Sequence, residues 1–402
     1  MDLMNKTDVL KYLVERNFFP QNAAFKCVDI LEETKSEGYC NKLFQVIDEN
    51  TNKSVVVKQV MPYMLVVKQA TGDIRPFSME RIKTEISVLV FFDRLQKGIV
   101  PEIYLADFEN GIIVMEDLCH LKLMRFEMTD GKVFYEAGKK IGAFLAALYF
   151  FTSRHVLSKE EQFVLSQYFD STESGRLNVF LSDEECTLLN LTKKMEPEVM
   201  PIRKRIAENA EIRRIVKGLS DKFSDKECLA HNDLHSSNIM IDDDEVRIID
   251  TEFSGFSTPY IDLGRMASSF VVNYLSWLGT PEIEIGKRRE MQAYNLAMLR
   301  DMFNAYKNVL AALWQAYDVK ASFEETALTI FKDALAYAVT IAILRVSSDI
   351  AQSCEIKRIR NREDLAHVQQ CAYEVAEYVL THLDQFRSID DFTACLSEHY
   401  GL

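Results

Sequence analysis

The chain is short of the residues that break a fold into pieces. It has 8 prolines and 14 glycines among 402 residues, with no Pro/Gly linker, internal repeat or low-complexity tract, so tightly connected elements are expected. Its eight cysteines, Cys27, Cys40, Cys119, Cys186, Cys228, Cys354, Cys371 and Cys395, form no C-x-x-C pair and no zinc-like grouping. They read as reduced, mostly buried thiols. Basic residues are in deficit, 47 Lys and Arg against 61 Asp and Glu for a net charge of -14, which argues against nucleic-acid and anionic-membrane partners. A cationic or neutral substrate is compatible with that surface. Met1 to Asn17 carries Asp2, Lys6, Asp8, Lys11 and Glu15 and so lacks the apolar core of a signal peptide. The longest apolar stretches, such as Ala334 to Leu344, fall short of the ~18 residues of a membrane span. They are expected to be buried helices in a cytoplasmic protein.

What is present suits a large fold. At this length, with 48% apolar residues, one core usually gives way to two, and a cleft between two lobes is the natural expectation. After a short amphipathic helix at Asp8 to Glu15, Phe25 to Met64 is strand territory, rich in β-branched and aromatic residues and broken at Asp48-Glu49-Asn50. Helical spacing over Met79 to Leu95 ends before Gly98 and Pro101, and strands follow near Glu102 to Phe108 and Ile112 to Glu116. From Leu118 onward long apolar helices take over, including Gly138 to Phe151. Short strands around Asp242-Asp243-Asp244, within Leu229 to Ile249, interrupt them. The expected fold is α+β, with a small, mainly β lobe at 1–117 and a larger, mainly helical lobe at 118–402.

One stretch carries chemistry. His231-Asn-Asp-Leu-His-Ser-Ser-Asn is followed by Asp250-Thr-Glu-Phe, which supplies the parts of a phosphoryl-transfer site. Asp233 would accept the proton of a substrate hydroxyl, while Asn238 and Asp250 would hold Mg2+ against the phosphates of ATP. The spacing D-x-x-x-x-N followed by D is that of a kinase catalytic loop and metal motif. If Asp250-Thr-Glu continues a strand, Asp250 and Glu252 share one face and both reach the metal. Acidic loops are common, but several carboxylates between apolar strands are costly without a cation. His231 reads as a brace for this loop, Asp262 as an acceptor of its backbone N–H groups; His235, Ser236 and Ser237 have no assigned role. Upstream, Lys58 ends the β-branched run Val55-Val-Val-Lys and Glu85 lies in the next helix, so Lys58 would bind the α- and β-phosphates and pair with Glu85. Isolated strand lysines are usually just solvated, yet the order Lys58, Glu85, Asp233, Asp250 repeats the kinase order. Gly38 is the one glycine before a strand where a phosphate loop would lie. The backbone of Met115, Glu116, Asp117 and Leu118 is the expected adenine hinge.

At these residues the chain resembles the aminoglycoside phosphotransferase and choline kinase superfamily, and within it the methylthioribose kinase family. The likeness spans nearly the whole chain. It is carried by Val57-Lys-Gln-Val-Met-Pro-Tyr, Arg75-Pro-Phe-Ser-Met-Glu-Arg with Glu85, Gly38 and Asn41 in G-x-x-N, Val114-Met-Glu-Asp-Leu, and Asp250-Thr-Glu-Phe. The resemblance implies a protein-kinase-like fold and a homodimeric enzyme that uses ATP and Mg2+ to phosphorylate the 1-hydroxyl of 5-methylthioribose in methionine salvage, with Asn41 at the nucleotide and Arg345 at the sugar. Three departures stand against it. The family loop H-G-D-L-H-T-G-S has Asn232 and Asn238 here, closer to choline kinases; the family tryptophan is Arg75; and the twin arginine is Leu344-Arg345. A kinase of choline, ethanolamine or an aminoglycoside is the first alternative, with aromatics of Tyr260 to Trp277 and Phe303 to Trp314 as its candidate walls. A non-catalytic nucleotide-binding scaffold is the second.

Overall fold

The computed structural model describes residues 4–20, 23–34, 40–65, 68, 72–173, 180–182, 186–190, 196–347 and 353–402. Strands β1 (Phe25–Asp29), β2 (Asn41–Asp48), β3 (Lys53–Val60), β4 (Ile103–Asp107) and β5 (Ile112–Glu116) form an antiparallel sheet in the order β1-β2-β3-β5-β4. Helices α1 (Lys6–Glu15), α2 (Ile30–Glu33) and α3 (Arg81–Leu95) accompany it. The period of two along β3 sorts its side chains. Val55 and Val57 join Phe44, Ile112 and Val114 against Val9 and Leu13 of α1, whereas Val56 and Val60 join Ile113 and Met115 against Ile82 of α3. Lys58 has the parity of Val56 and Val60, which turns it toward α3.

The rest of the chain is mainly helical. It comprises β6 (Lys122–Leu123), α4 (Met124–Thr129), α5 (Ala137–Thr152), α6 (Lys159–Phe169), α7 (Met200–Glu208), α8 (Ala210–Lys222), β7 (Cys228–Ala230), β8 (Ile239–Ile241), β9 (Val246–Ile248), β10 (Gly255–Ser257), α9 (Tyr260–Ser276), α10 (Ile285–Ala316), α11 (Phe323–Ser347), α12 (Cys354–Lys357), α13 (Arg362–Thr381) and α14 (Ile389–Tyr400). Two small sheets, β6-β8-β9 and β7-β10, carry the loops of interest. Every residue of α9 is buried, so this helix is the axis of the larger core. The α+β architecture is therefore as expected, a small β-rich part followed by a large helical one.

Two features differ from the sequence expectation. The backbone leaves the large sheet at Glu116, but packing divides elsewhere: Ile82 of α3 faces the sheet, while Val88, Leu89 and Phe92 belong to the helical core. One helix thus serves both cores. The run Ala334 to Leu344, too short in sequence for a membrane span, lies within a 25-residue helix that is long and apolar enough to cross one. Its most apolar window is 72% buried inside the fold, where α11 packs on α9 and α13. All eight cysteines are free thiols.

Helices α5 and α10 approach closely at glycine. A Cβ added at Gly142 would lie 2.1 Å from the Met302 carbonyl oxygen, a contact that only backbone movement could relieve. Gly142→Ala is therefore expected to destabilise the fold by about 1–3 kcal/mol, seen as a lower urea midpoint at unchanged slope.

Candidate active site

The loop between β7 and β8 is held from below by α9. Asp262, in the first turn of α9, accepts the backbone N–H of His231 at 2.7 Å and of Asn232 at 2.9 Å. Burial pushes its carboxyl upward, against the opposing pull of His231 and of these two bonds. His231 Nε2 donates to the Ile249 carbonyl at 3.0 Å and its Nδ1 accepts from the Asp233 N–H at 3.3 Å, two bonds that fix the ring and make His231 a brace. Asn232 has φ 66°, a left-handed conformation that glycine or asparagine tolerates, which explains why a family glycine and this asparagine exchange here. Its amide also donates to the Phe253 carbonyl at 3.1 Å, tying the loop to the segment after Asp250.

Asp233 projects from that braced loop with 18% of its side chain exposed. Its Oδ1 lies 3.2 Å from Arg265 Nε and its Oδ2 3.7 Å from His235 Nε2. The second contact is not an ion pair. Burial, then Arg345, Arg125 and Arg265, hold His235 well below the ordinary histidine value, so its ring is neutral. Its Nδ1 accepts from the Ser237 N–H at 3.2 Å, and Ser236 Oγ accepts from Arg125 Nε at 3.1 Å. Asn238 donates through Nδ2 to the Asp233 carbonyl at 2.9 Å. Its own carbonyl accepts from the Ile249 N–H at 3.0 Å, which brings Asn238 beside the start of the Asp250 segment.

Lys58 reaches across to that segment. Its ammonium donates to Glu85 Oε1 and to Asp250 Oδ1, both at 2.6 Å. Burial disfavours the ammonium, but Asp250 and Glu85 outweigh it and raise the group. The same burial pushes Glu85 up and would push Asp250 up; the Lys58 charge and hydrogen bond prevail at Asp250 and hold its carboxyl down. Asp250 keeps 38% of its side chain exposed, so a charged carboxylate faces the cleft.

Asp250 and Glu252 do not continue a strand. Asp250 has φ 65° and ψ 53°, and Thr251–Phe253 form a 3-10 turn. With three residues per turn rather than a period of two, the two carboxylates diverge. Glu252 Oε2 accepts from Arg81 Nε at 2.9 Å and from the Asn41 amide at 3.0 Å, and Arg81 Nη2 closes the ring by donating to Asn41 Oδ1 at 2.9 Å. Asn41, expected at the nucleotide, thus has both ends of its amide engaged in this buried network. At the expected hinge the Glu116 N–H donates to Glu102, the Leu118 carbonyl accepts from Leu121, and the Asp117 carboxylate accepts from the Gln45 amide at 2.8 Å; the Met115 side chain faces α3. Gly38 lies outside the described residues.

Arg345 comes from the last turn of α11. Its guanidinium is drawn down to about 10 by burial and then by Arg125 and Arg265, with Asp233 and Glu355 opposing. Three arginines therefore gather on the Asp233 side of the site. Sequence reasoning reached only Arg345. Arg265 and Ser269 had a readable signal, because with Asp262 they form an i, i+3, i+7 polar stripe on an apolar helix; Arg125 had none. A cavity of about 480 Å3 bounded by Phe126, Trp277, Cys354 and Arg358 includes none of these catalytic-loop residues.

A model of the choline/ethanolamine kinase family matches residues 33–339. The chain belongs to that family. It is 24% identical over 402 residues to a methylthioribose kinase of Geobacillus sp. (strain WCH70), covering 98% of this chain and 96% of that one. It is 25% identical over 370 residues to the methylthioribose kinase of Geobacillus kaustophilus (strain HTA426), covering 90% and 89%. Among solved structures, a choline kinase from Cryptosporidium parvum Iowa II superposes with TM-score 0.50 at 13% identity, over 95% of this chain and 99% of that one, a likeness of fold. This family member is a small-molecule kinase, a phosphotransferase that acts on a hydroxyl group.

Two measurements probe this electrostatic arrangement. Lys58→Met leaves the Glu85 carboxylate buried without its cation and is expected to cost about 3 kcal/mol of stability; adding Glu85→Gln should restore part of it in the same denaturant titration. His235 takes up its proton near the ordinary value of 6.5 only when unfolded. Its contribution is thus complete above that pH and lost as pH falls, by up to about 1.4 kcal/mol per unit. His235→Gln should flatten the stability profile between about pH 6.5 and 5.

Proposed function

We propose that this kinase transfers the γ-phosphate of ATP to a hydroxyl of a sugar-like metabolite, with 5-methylthioribose as the acceptor, in the cytoplasm and as a homodimer. The observation that carries the acceptor class is the gathering of Arg125, Arg265 and Arg345 around the Asp233 side of the site. Guanidinium groups are donors, and hydroxyl and ring oxygens are acceptors, so a neutral polyol would find a partner in Arg345, the least buried of the three. A choline, ethanolamine or aminoglycoside cation would meet three guanidinium charges, offset in part by Asp233 and Glu355. The aromatic walls a cation would want are also missing from the stretch that suggested them: Tyr260, Tyr274 and Trp277 are each 1% exposed and form core. The methylthioribose kinases quoted above match this chain almost end to end, which favours the same acceptor.

The geometry supports the remaining roles. Lys58 would meet the α- and β-phosphates, with Glu85 fixing its direction. Asp250 and the Asn238 amide oxygen supply hard oxygen ligands of the kind Mg2+ prefers, few enough to leave room for phosphate and water. Glu252 would join them only through Oε1, because Arg81 and Asn41 hold Oε2. When bound, Mg2+ neutralises phosphate charge. Asp233 accepts the proton of the acceptor O–H and orients the oxygen lone pair toward the γ-phosphorus. The scaffold alternative is disfavoured because the lysine, the base and both metal-side oxygens are all present.

ADP release with Mg-ATP over a panel of 5-methylthioribose, choline, ethanolamine and an aminoglycoside tests the reading. Turnover is expected with methylthioribose, falling at least about a hundredfold in Asp233→Ala. Turnover with an amine alone would establish the first alternative, and an unimpaired Asp233→Ala enzyme would remove Asp233 as base.

A further inference from the structure

Arg265 belongs to none of the motifs that point to a kinase. It lies on α9 one turn after Asp262, with Ser269 a turn further on, and all three touch the catalytic loop. Asp262 takes the N–H groups of His231 and Asn232, Ser269 Oγ takes the N–H of Ser236 at 3.2 Å, and Arg265 Nε donates to the Asn232 carbonyl at 3.1 Å. The helix thus grips the loop by donors and acceptors alike. Arg265 does one thing more, because the same Nε lies 3.2 Å from Asp233 Oδ1.

We propose that Arg265 is a positioning residue that aims the Asp233 carboxylate at the acceptor hydroxyl. The inference rests on Asp233 being the proton acceptor, as proposed above. Arg265 is 1% exposed on a helix with no exposed residue, so its guanidinium is a rigid reference point. His235, 3.7 Å from the carboxylate, is neutral and cannot serve as an ionic anchor. Arg345 also bears on Asp233 through its charge, but Arg265 is the cation paired with the carboxylate at 3.2 Å. A buried cation beside Oδ1 favours one rotamer and leaves Oδ2 to receive the proton, the kind of alignment on which proton abstraction and in-line attack depend. Arg265 Nη2 is buried with no hydrogen-bond partner among the described residues. A site that needed Arg265 only for packing would favour an apolar side chain here, since burying such a group without a partner is costly.

Arg265→Gln, Arg265→Lys, Asp233→Asn and Arg265→Gln/Asp233→Asn, each checked for folding by its melting temperature and its shift with Mg-ATP, decide the matter through kcat and KM for both substrates. Arg265→Gln is expected to lower kcat at least about tenfold while KM for Mg-ATP stays within about twofold. Arg265→Lys should recover part of the loss, because a cation remains. In the Asp233→Asn background Arg265→Gln should cost no more than about a further twofold, the mark of two residues acting as a unit. The proposal is overturned by a folded Arg265→Gln enzyme within about threefold of the parental kcat, by a loss confined to KM for Mg-ATP, or by an equal loss in the Asp233→Asn background. Should Arg265→Gln not fold, Arg265→Lys decides: a reduced kcat at a near-parental melting temperature supports the role, and an undiminished one rejects it. If Asp233→Asn alone keeps the parental rate, it is the assignment of Asp233 that fails.

Discussion

A lysine withdrawn from water keeps its charge only where carboxylates surround it, and Lys58 is the point at which this molecule meets that demand. Its ammonium draws together a strand of the large sheet, helix α3 through Glu85 and the turn that begins at Asp250. These segments are far apart in sequence and belong to different cores. The ion cluster costs desolvation, and its two carboxylates answer differently: the buried Glu85 is pushed up, whereas Asp250, still partly exposed, is held down. That asymmetry leaves the partly exposed carboxylate charged while the inner one supports the lysine.

A second buried network, Arg81 with Glu252 and Asn41, fixes the same turn from the other side. Between the two networks the backbone at Asp250 is held left-handed, a conformation that asparagine and aspartate reach more readily than most side chains. The adjacent carboxylates Asp250 and Glu252 are thereby divided between tasks, one open to the cleft and one neutralised inside. The loop between β7 and β8 shows the same logic. Asn232 is left-handed as well, and α9 meets its N–H with Asp262 and its carbonyl with Arg265.

Much of this was legible in the chain. The β-branched run Val55 to Val57 marked β3 as a strand carrying Lys58; the span Met79 to Leu95 had helical spacing; and the spacing of Asp233, Asn238 and Asp250 singled out the loop that the fold brings beside Lys58. Asp262 was readable as a backbone acceptor from its place in Thr258-Pro-Tyr-Ile-Asp-Leu-Gly, shortly after Asp250. The strand reading of Asp250-Thr-Glu failed, since the signal for a left-handed turn is a hydrogen-bond environment built by Arg81, Asn41 and Asn232, all distant in sequence. The length of α11 was also hidden, because helical hydrogen bonding continues through polar residues that end an apolar run.

By itself the sequence determined the order of elements, the two-part α+β plan and the chemical kind of the site, because strand parity, helix period and catalytic-loop spacing are local properties. Packing in three dimensions set which carboxylate meets which cation, made α3 serve two cores, and gathered Arg125, Arg265 and Arg345 near one aspartate. Those outcomes depend on the desolvation of charges brought together from distant segments, an energy that no single stretch of chain contains.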